Sequence, residues 1–144
     1  MITLDRTRFL EAFAAASAGP ARYGINDCCL TVADALVAAG GPDLMAGWRG
    51  RYRTRFGFLR IIRKAGLPDL PTAIQTAFER HLKPSQNPWE DMVLTTGAWT
   101  HDGKVFHAPF FRMDGWWHTR GPDGPLSFQL ITRRHPGNPF WRAT

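Results

Sequence analysis

Cysteine is scarce in this chain: there are two among 144 residues, Cys28 and Cys29, and they are adjacent. Neighbouring Cα atoms lie about 3.8 Å apart, too close for an ordinary disulfide, so no structural cross-link within the chain is expected. The two-residue gap used by thiolate zinc sites and by thioredoxin-like redox pairs is also missing, so neither a metal nor another cofactor is expected. Acidic residues are in deficit, 12 against 18 lysines and arginines. The formal charge of +6 favours anionic partners without selecting nucleic acid, phospholipid or a cell-wall polymer. No apolar run approaches membrane-spanning length, so no membrane span is expected. The opening residues MITLDRTRFLEAF place acids inside the apolar pattern and do not read as a secretory signal. Internal repeats and low-complexity segments are absent. What is present, 44% hydrophobic and 21% charged residues, suits one globular domain over residues 1–144 with a substantial core.

Residues from about 3 to 82 read as helical. Thr3 to Ala16 puts Phe9, Leu10, Phe13 and Ala14 at three-and-four spacing before the stop at Gly19-Pro20. A second helix opens at the cysteines, with Asn26 or Asp27 as N-cap, and runs to Gly40-Gly41. Pro42 opens a short helical turn from Met45 to Trp48; residues 53–66 then form a helix with Phe58, Ile61 and Ile62 inward, and Pro71 starts a last one that reaches His81. Past the polar connector KPSQNP (83–88) the texture changes. DMVLTT, GKVFHAPFF, GWWHTR and PLSFQLIT are rich in β-branched and aromatic residues and are separated by HDG, MDG and GPDG, which is turn chemistry. The pattern predicts a meandering antiparallel sheet over about 89–132, and an α+β fold in which N-terminal helices pack on a C-terminal antiparallel β-sheet. Pro109 lacks a ladder donor, which predicts an edge strand or a bulge there.

With Asp27 or Asn26 as cap, Cys28 falls in the first helical turn, where free N–H groups and the positive end of the helix dipole favour a thiolate. Cys29 shares a stripe with Val32 and Leu36 and is expected in the core. A thiol nucleophile needs a base. His107 lies in KVFHAPFF on the face opposite Phe106, Ala108 and Phe110, and His118 lies in the following strand. His81, His101 and His135 sit in turns or at element ends and read as solvated.

The order of these parts resembles the NlpC-type cysteine peptidases, compact papain-like enzymes of bacterial cell-wall turnover that are also carried on phage tails. Their pattern is roughly DCSGL on a helix, GDLV opening a strand, and HVGIYLGDGKFIHA across a hairpin. This chain has DCCL at 27–30, EDMV at 90–93 and HAPFFRMDGWWHTR at 107–120. The segments GINDCCLTVADALVAAGG and LMAGWRGRYRTRFGFLRIIRKAG are similar to small phage and prophage members of the group.

The resemblance implies a papain-like fold and a Cys-His-His triad: Cys28 as nucleophile, His107 as base and His118 as the orienting residue. Tyr23 and Asp27 would be substrate-binding. The implied substrate is a peptidoglycan stem peptide, cleaved through a thioester. The implied partners are phage tail-tip or hub proteins, and the implied location is the virion, or the host cytoplasm during assembly. A second alignment, of GAWTHDGKVFHA with GIYLGDGKFIHA, puts Thr95 where the base belongs and makes the protein an inactive relative.

The triad carries a geometric condition. A tight two-residue turn at Asp114-Gly115 would set His118 opposite Phe111, roughly 13 Å of strand from His107, so contact between the histidines requires a wider loop or a bulge. The non-enzymatic alternative is a papain-like structural component of a tail tip or tail assembly. For it, Phe110, Phe111, Trp116, Trp117, Phe140 and Trp141 offer anchors, about half of which are expected in the sheet core instead. The basic run RGRYRTRFGFLRIIRK (49–64) could track nucleic acid, but no recognised nucleic-acid module accompanies it, and a solvated helix face is the expectation.

Overall fold

The computed structural model describes residues 4–85, 91–129 and 140–142. His135, Glu90, the second half of the KPSQNP connector and the end of PLSFQLIT lie outside the described residues. The helices are α1 (Arg6–Ser17), α2 (Cys28–Ala38), α3 (Arg55–Lys64) and α4 (Leu70–His81). Each starts at a side-chain cap that accepts a backbone N–H of the first turn: Asp5, Asp27, Thr54 and Asp69. The predicted helical turn from Met45 to Trp48 is instead a run of turns over 44–50, because Gly47 and Gly50 take φ of +87° and +75° and break any helical continuation.

The strands are β1 (Lys83–Pro84), β2 (Val93–His101), β3 (Lys104–Met113), β4 (Trp116–Arg120), β5 (Pro125–Phe128) and β6 (Trp141–Arg142). They form one antiparallel sheet in the order β1-β6-β2-β3-β4-β5. The β2–β5 meander follows the turn signals. The two-residue strands β1 and β6 are too short to show any sequence period.

Both central hairpins close on Asp-Gly with positive φ at both residues: +49° and +73° at 102–103, +53° and +82° at 114–115. That is the turn geometry whose twist matches paired strands. Asp91 Oδ1 accepts the Asp114 amide at 3.1 Å and pins the second turn. Pro109 is not on an edge. β3 lies between β2 and β4, and the β3–β4 pairs run from Met113↔Trp116 to Phe111↔His118 and end before the proline, which removes the donor that the next step needs.

The helices cover one face of the sheet. Phe9 and Phe13 of α1 meet Phe111 edge-on at 4.7 and 4.8 Å, and Leu94, Met113, Val32, Leu36, Ile62 and Phe78 complete this core. α2 is apolar nearly all round and is buried accordingly, except at its C-terminal end, where Val37 (47%) and Ala38 are exposed. The opposite sheet face carries a second cluster, Val93, Ala108, Phe110 and Trp117, with Trp99, Phe128 and Phe140 against it. Of the six flagged aromatics, Phe110, Phe111, Trp117 and Trp141 are buried and Trp116 is exposed.

Candidate functional site

The start of α2 is fixed by three devices. Asp27 caps it: Oδ1 accepts from the Leu30 amide at 2.9 Å, and Oδ2 accepts from the Gly24 amide at 2.9 Å and from the Tyr52 hydroxyl at 2.7 Å. Asn26 ties the preceding loop to itself, donating to the Ala16 carbonyl and accepting from the Arg22 amide. Arg120, at the end of β4, reaches under the loop and donates to the carbonyls of Asn26 (2.9 Å), Gly19 (2.7 Å) and Gly121 (2.9 Å). Gly24 must be glycine here. Its φ is +82°, and a Cβ would collide with the Tyr52 carbonyl oxygen.

Cys28 emerges from this frame at the first position of α2, half-buried. Cys29 is buried and lines a small apolar cavity with Leu44, Phe58, Ile74 and Pro109. The two sulfurs are 4.0 Å apart. The hydrogen bond to Cys28 and then burial push the Cys29 thiol well above its ordinary pKa. Burial likewise pushes up Tyr52, with Asp27 next among the causes. Tyr23, 38% exposed, has its phenol raised by burial first and then by the charge of Cys28.

His107 is half-buried on β3, paired with Ala98 and on the same face as Pro109 and Phe111, the face toward the helices. α2 packs on β3 and β4. Cys28 packs against both cores, one of which includes Ala108, the residue after His107. Ala108 points to the sheet face opposite His107, so this packing sets Cys28 against β3 without joining its sulfur to the His107 imidazole.

Two predicted residues are held by other partners. His118 is opposite Phe111, as the tight turn dictates, and stacks on that ring at 5.2 Å. Its Nε2 donates to the Met113 carbonyl at 3.1 Å, so its Nδ1 accepts from Ser127 Oγ at 2.8 Å. Both nitrogens are spent on the β4–β5 end of the sheet, and the ring does not orient His107. Asp27 is 3% exposed and its carboxylate is taken up by internal donors, so its observed role is to build the start of α2. Thr95 shares the sheet face of Phe110, away from His107. His81 and His101 are exposed.

Arg120 and Tyr52 escape sequence reasoning. One is the last residue of an aromatic strand and the other is embedded in a basic run, and neither carries a local signal that it will be buried. Among the described residues, no group of three or more His, Cys, Asp and Glu comes together to hold a metal ion. A groove of about 290 Å³ is lined by Trp99, His101 and residues 121–126, and none of the predicted site residues lines it.

The exposure difference between the cysteines sets an expected outcome. Iodoacetamide should label the native protein once, at Cys28, with Cys29 reacting only after denaturation. Peptide mass mapping of native and unfolded samples reads this directly, and equal native labelling of both would refute the assignment of Cys29 to the core.

No curated protein and no solved structure matches the chain. Residues 4–120, from the helix before α2 through the end of β4 and so including Cys28, His107 and Arg120, match the family model described as a domain of unknown function, DUF6950, and the chain belongs to that family.

Proposed function

We propose that this protein is a papain-like domain of the NlpC type that serves as a structural component of a phage or prophage tail assembly, with at most weak thiol chemistry at Cys28. The papain-like part is supported by the order of elements: a helix start bearing Asp27-Cys28, a strand entered through Asp91-Met92-Val93, and the adjacent strand bearing His107. The tail assignment is supported by the resemblance of residues 24–41 and 44–66 to small phage and prophage proteins.

The observation that carries the structural role is the two-residue turn at Asp114-Gly115, which commits His118 to Phe111, Met113 and Ser127. A nucleophile–base pair whose imidazole loses its orienting residue is severely slowed; in a well-studied serine triad the loss is about 10⁴-fold. A second use of the site, as a hydrolase of peptidoglycan stem peptides, is favoured by the half-exposed Cys28 at the capped start of α2. In that chemistry His107 takes the Cys28 proton, the thiolate attacks the amide carbonyl, and water later cleaves the thioester. A backbone N–H at the start of α2 would donate to the oxyanion.

Digestion of purified peptidoglycan separates the two. Wild type, Cys28→Ala and Cys29→Ala are expected to release the same fragments by mass, at the background rate. Fragments that appear with wild type and Cys29→Ala but vanish with Cys28→Ala would establish the hydrolase in place of the structural role.

A further inference from the structure

We propose that the outward face of α3, together with the loop before Cys28, is a docking surface for an acidic segment of a partner protein that also carries apolar side chains. At 100° per residue, Phe56, Arg60, Arg63 and Lys64 fall on one arc of α3, while Phe58 and Ile62 are buried on the other side. Phe56 is 75% exposed, and Ile25 in the loop is 66% exposed. The segments that carry them pack directly: Gly24 lies against the Tyr52 carbonyl and Arg53, and Tyr23 is within electrostatic reach of Arg55.

The charges of this surface are uncompensated. Arg49 is held by Asp34 and Asp43, and Arg51 lies over Trp48 and donates to the Gly47 carbonyl. Arg53, Arg55, Arg60, Arg63 and Lys64 have no carboxylate partner among the described residues. Like charges crowded on one helix raise its energy, and an approaching acidic segment relieves that repulsion.

The apolar members decide the kind of anion. Exposed Phe56, Ile25 and Tyr23 beside arginines have the composition of a protein–protein interface. A nucleic-acid platform would use the aromatics and arginines, but an aliphatic Ile offers no plane on which a base can stack. A membrane surface would need an apolar stripe, and α3 turns Phe58 and Ile62 inward. This surface is separate from the chemistry of Cys28 and stands whether or not that thiol turns over a substrate.

Fluorescence anisotropy with the full chain tests the proposal. The probes are a labelled peptide of about ten residues alternating Asp and Glu with Leu and Phe, a second with Ser in place of Leu and Phe, and labelled oligothymidylate; an extended ten-residue peptide is long enough to cross α3 and the loop. The first peptide is expected to bind about tenfold tighter than the second, the effect of a modest apolar anchor. Phe56→Ser should reduce the first to the level of the second, and the pair Arg60→Glu with Arg63→Glu should abolish both, with thermal melting unchanged because these side chains are exposed. No binding of the first peptide, equal binding of the two, or tighter binding of oligothymidylate that Phe56→Ser leaves intact would overturn the proposal.

Discussion

Arg120→Met should destabilise the protein by about 2–4 kcal/mol, because a buried guanidinium that donates to several backbone carbonyls is lost. Arg120 is 1% exposed, and its guanidinium is the donor for the Gly19 and Gly121 carbonyls. The Asn26 and Ala16 carbonyls also accept from it, but each has a second donor, Thr31 Oγ1 and Asn26 Nδ2 respectively. The buried Gly121 carbonyl is therefore stranded by the substitution, at roughly 1–3 kcal/mol, while Gly19 is exposed and its carbonyl is open to water, so its loss is smaller. Against a total stability of about 5–15 kcal/mol for a domain of this size, that is a large fraction.

Arg120→Lys keeps the charge but replaces a planar fork by a point donor that cannot serve carbonyls in several directions, so an intermediate loss is expected. Denaturant unfolding of the three proteins measures this. A loss below about 1 kcal/mol for Arg120→Met would mean that water or neighbouring amides take over the carbonyls and that the clamp is dispensable. The same residue bears on the site. Burial lowers the Arg120 pKa, while the charges of Cys28, Asp123 and Asp27, in that order, push it back up, so Arg120→Met also removes a positive charge that acts on Cys28.

Asp27→Ala is the second large effect, with an expected loss of about 3–4 kcal/mol. The cap to Leu30 contributes about 1 kcal/mol, and the abandoned Gly24 amide and buried Tyr52 hydroxyl add about 1 kcal/mol or more each. Asp27→Asn keeps an acceptor for the cap and should lose much less. Tyr52→Phe removes one bond and leaves the stack on Phe58 at 4.2 Å intact, so a double-mutant cycle of Asp27→Ala with Tyr52→Phe isolates that contact. Coupling near zero would deny that the Asp27–Tyr52 bond holds the helix start. Because α2 begins where Asp27 caps it, Asp27→Ala should also change the rate at which Cys28 is alkylated.

Local chemistry was enough to read much of the fold. Three-and-four spacing, the cap at Asp27 and the Gly and Pro signals locate the four helices, and the two Asp-Gly turns locate the central hairpins, while the structure adds the caps at Asp5, Thr54 and Asp69. These signals are legible because a cap or a turn is settled by residues within a few positions of one another. β1 and β6 are not legible, since a two-residue strand exists only through its partner, and Lys83↔Arg142 joins residues far apart in the chain.

The site divides in the same way. The sequence by itself determined that Cys28 would sit at a capped helix start with Cys29 turned to the core, and it stated the condition on which a Cys-His-His triad depends. Only the tertiary structure decided that condition: the β3–β4 register, fixed by the turn and by Asp91 from an earlier segment, gave His118 to Phe111 and Ser127. It also decided that Asp27 would be consumed by Tyr52, and that Arg120 would hold Asn26 across a separation of 94 residues. The physical reason is one of range. Caps and turns are closed by near neighbours, whereas the partner of a buried carboxylate, guanidinium or imidazole is whichever group the packing of distant elements brings against it.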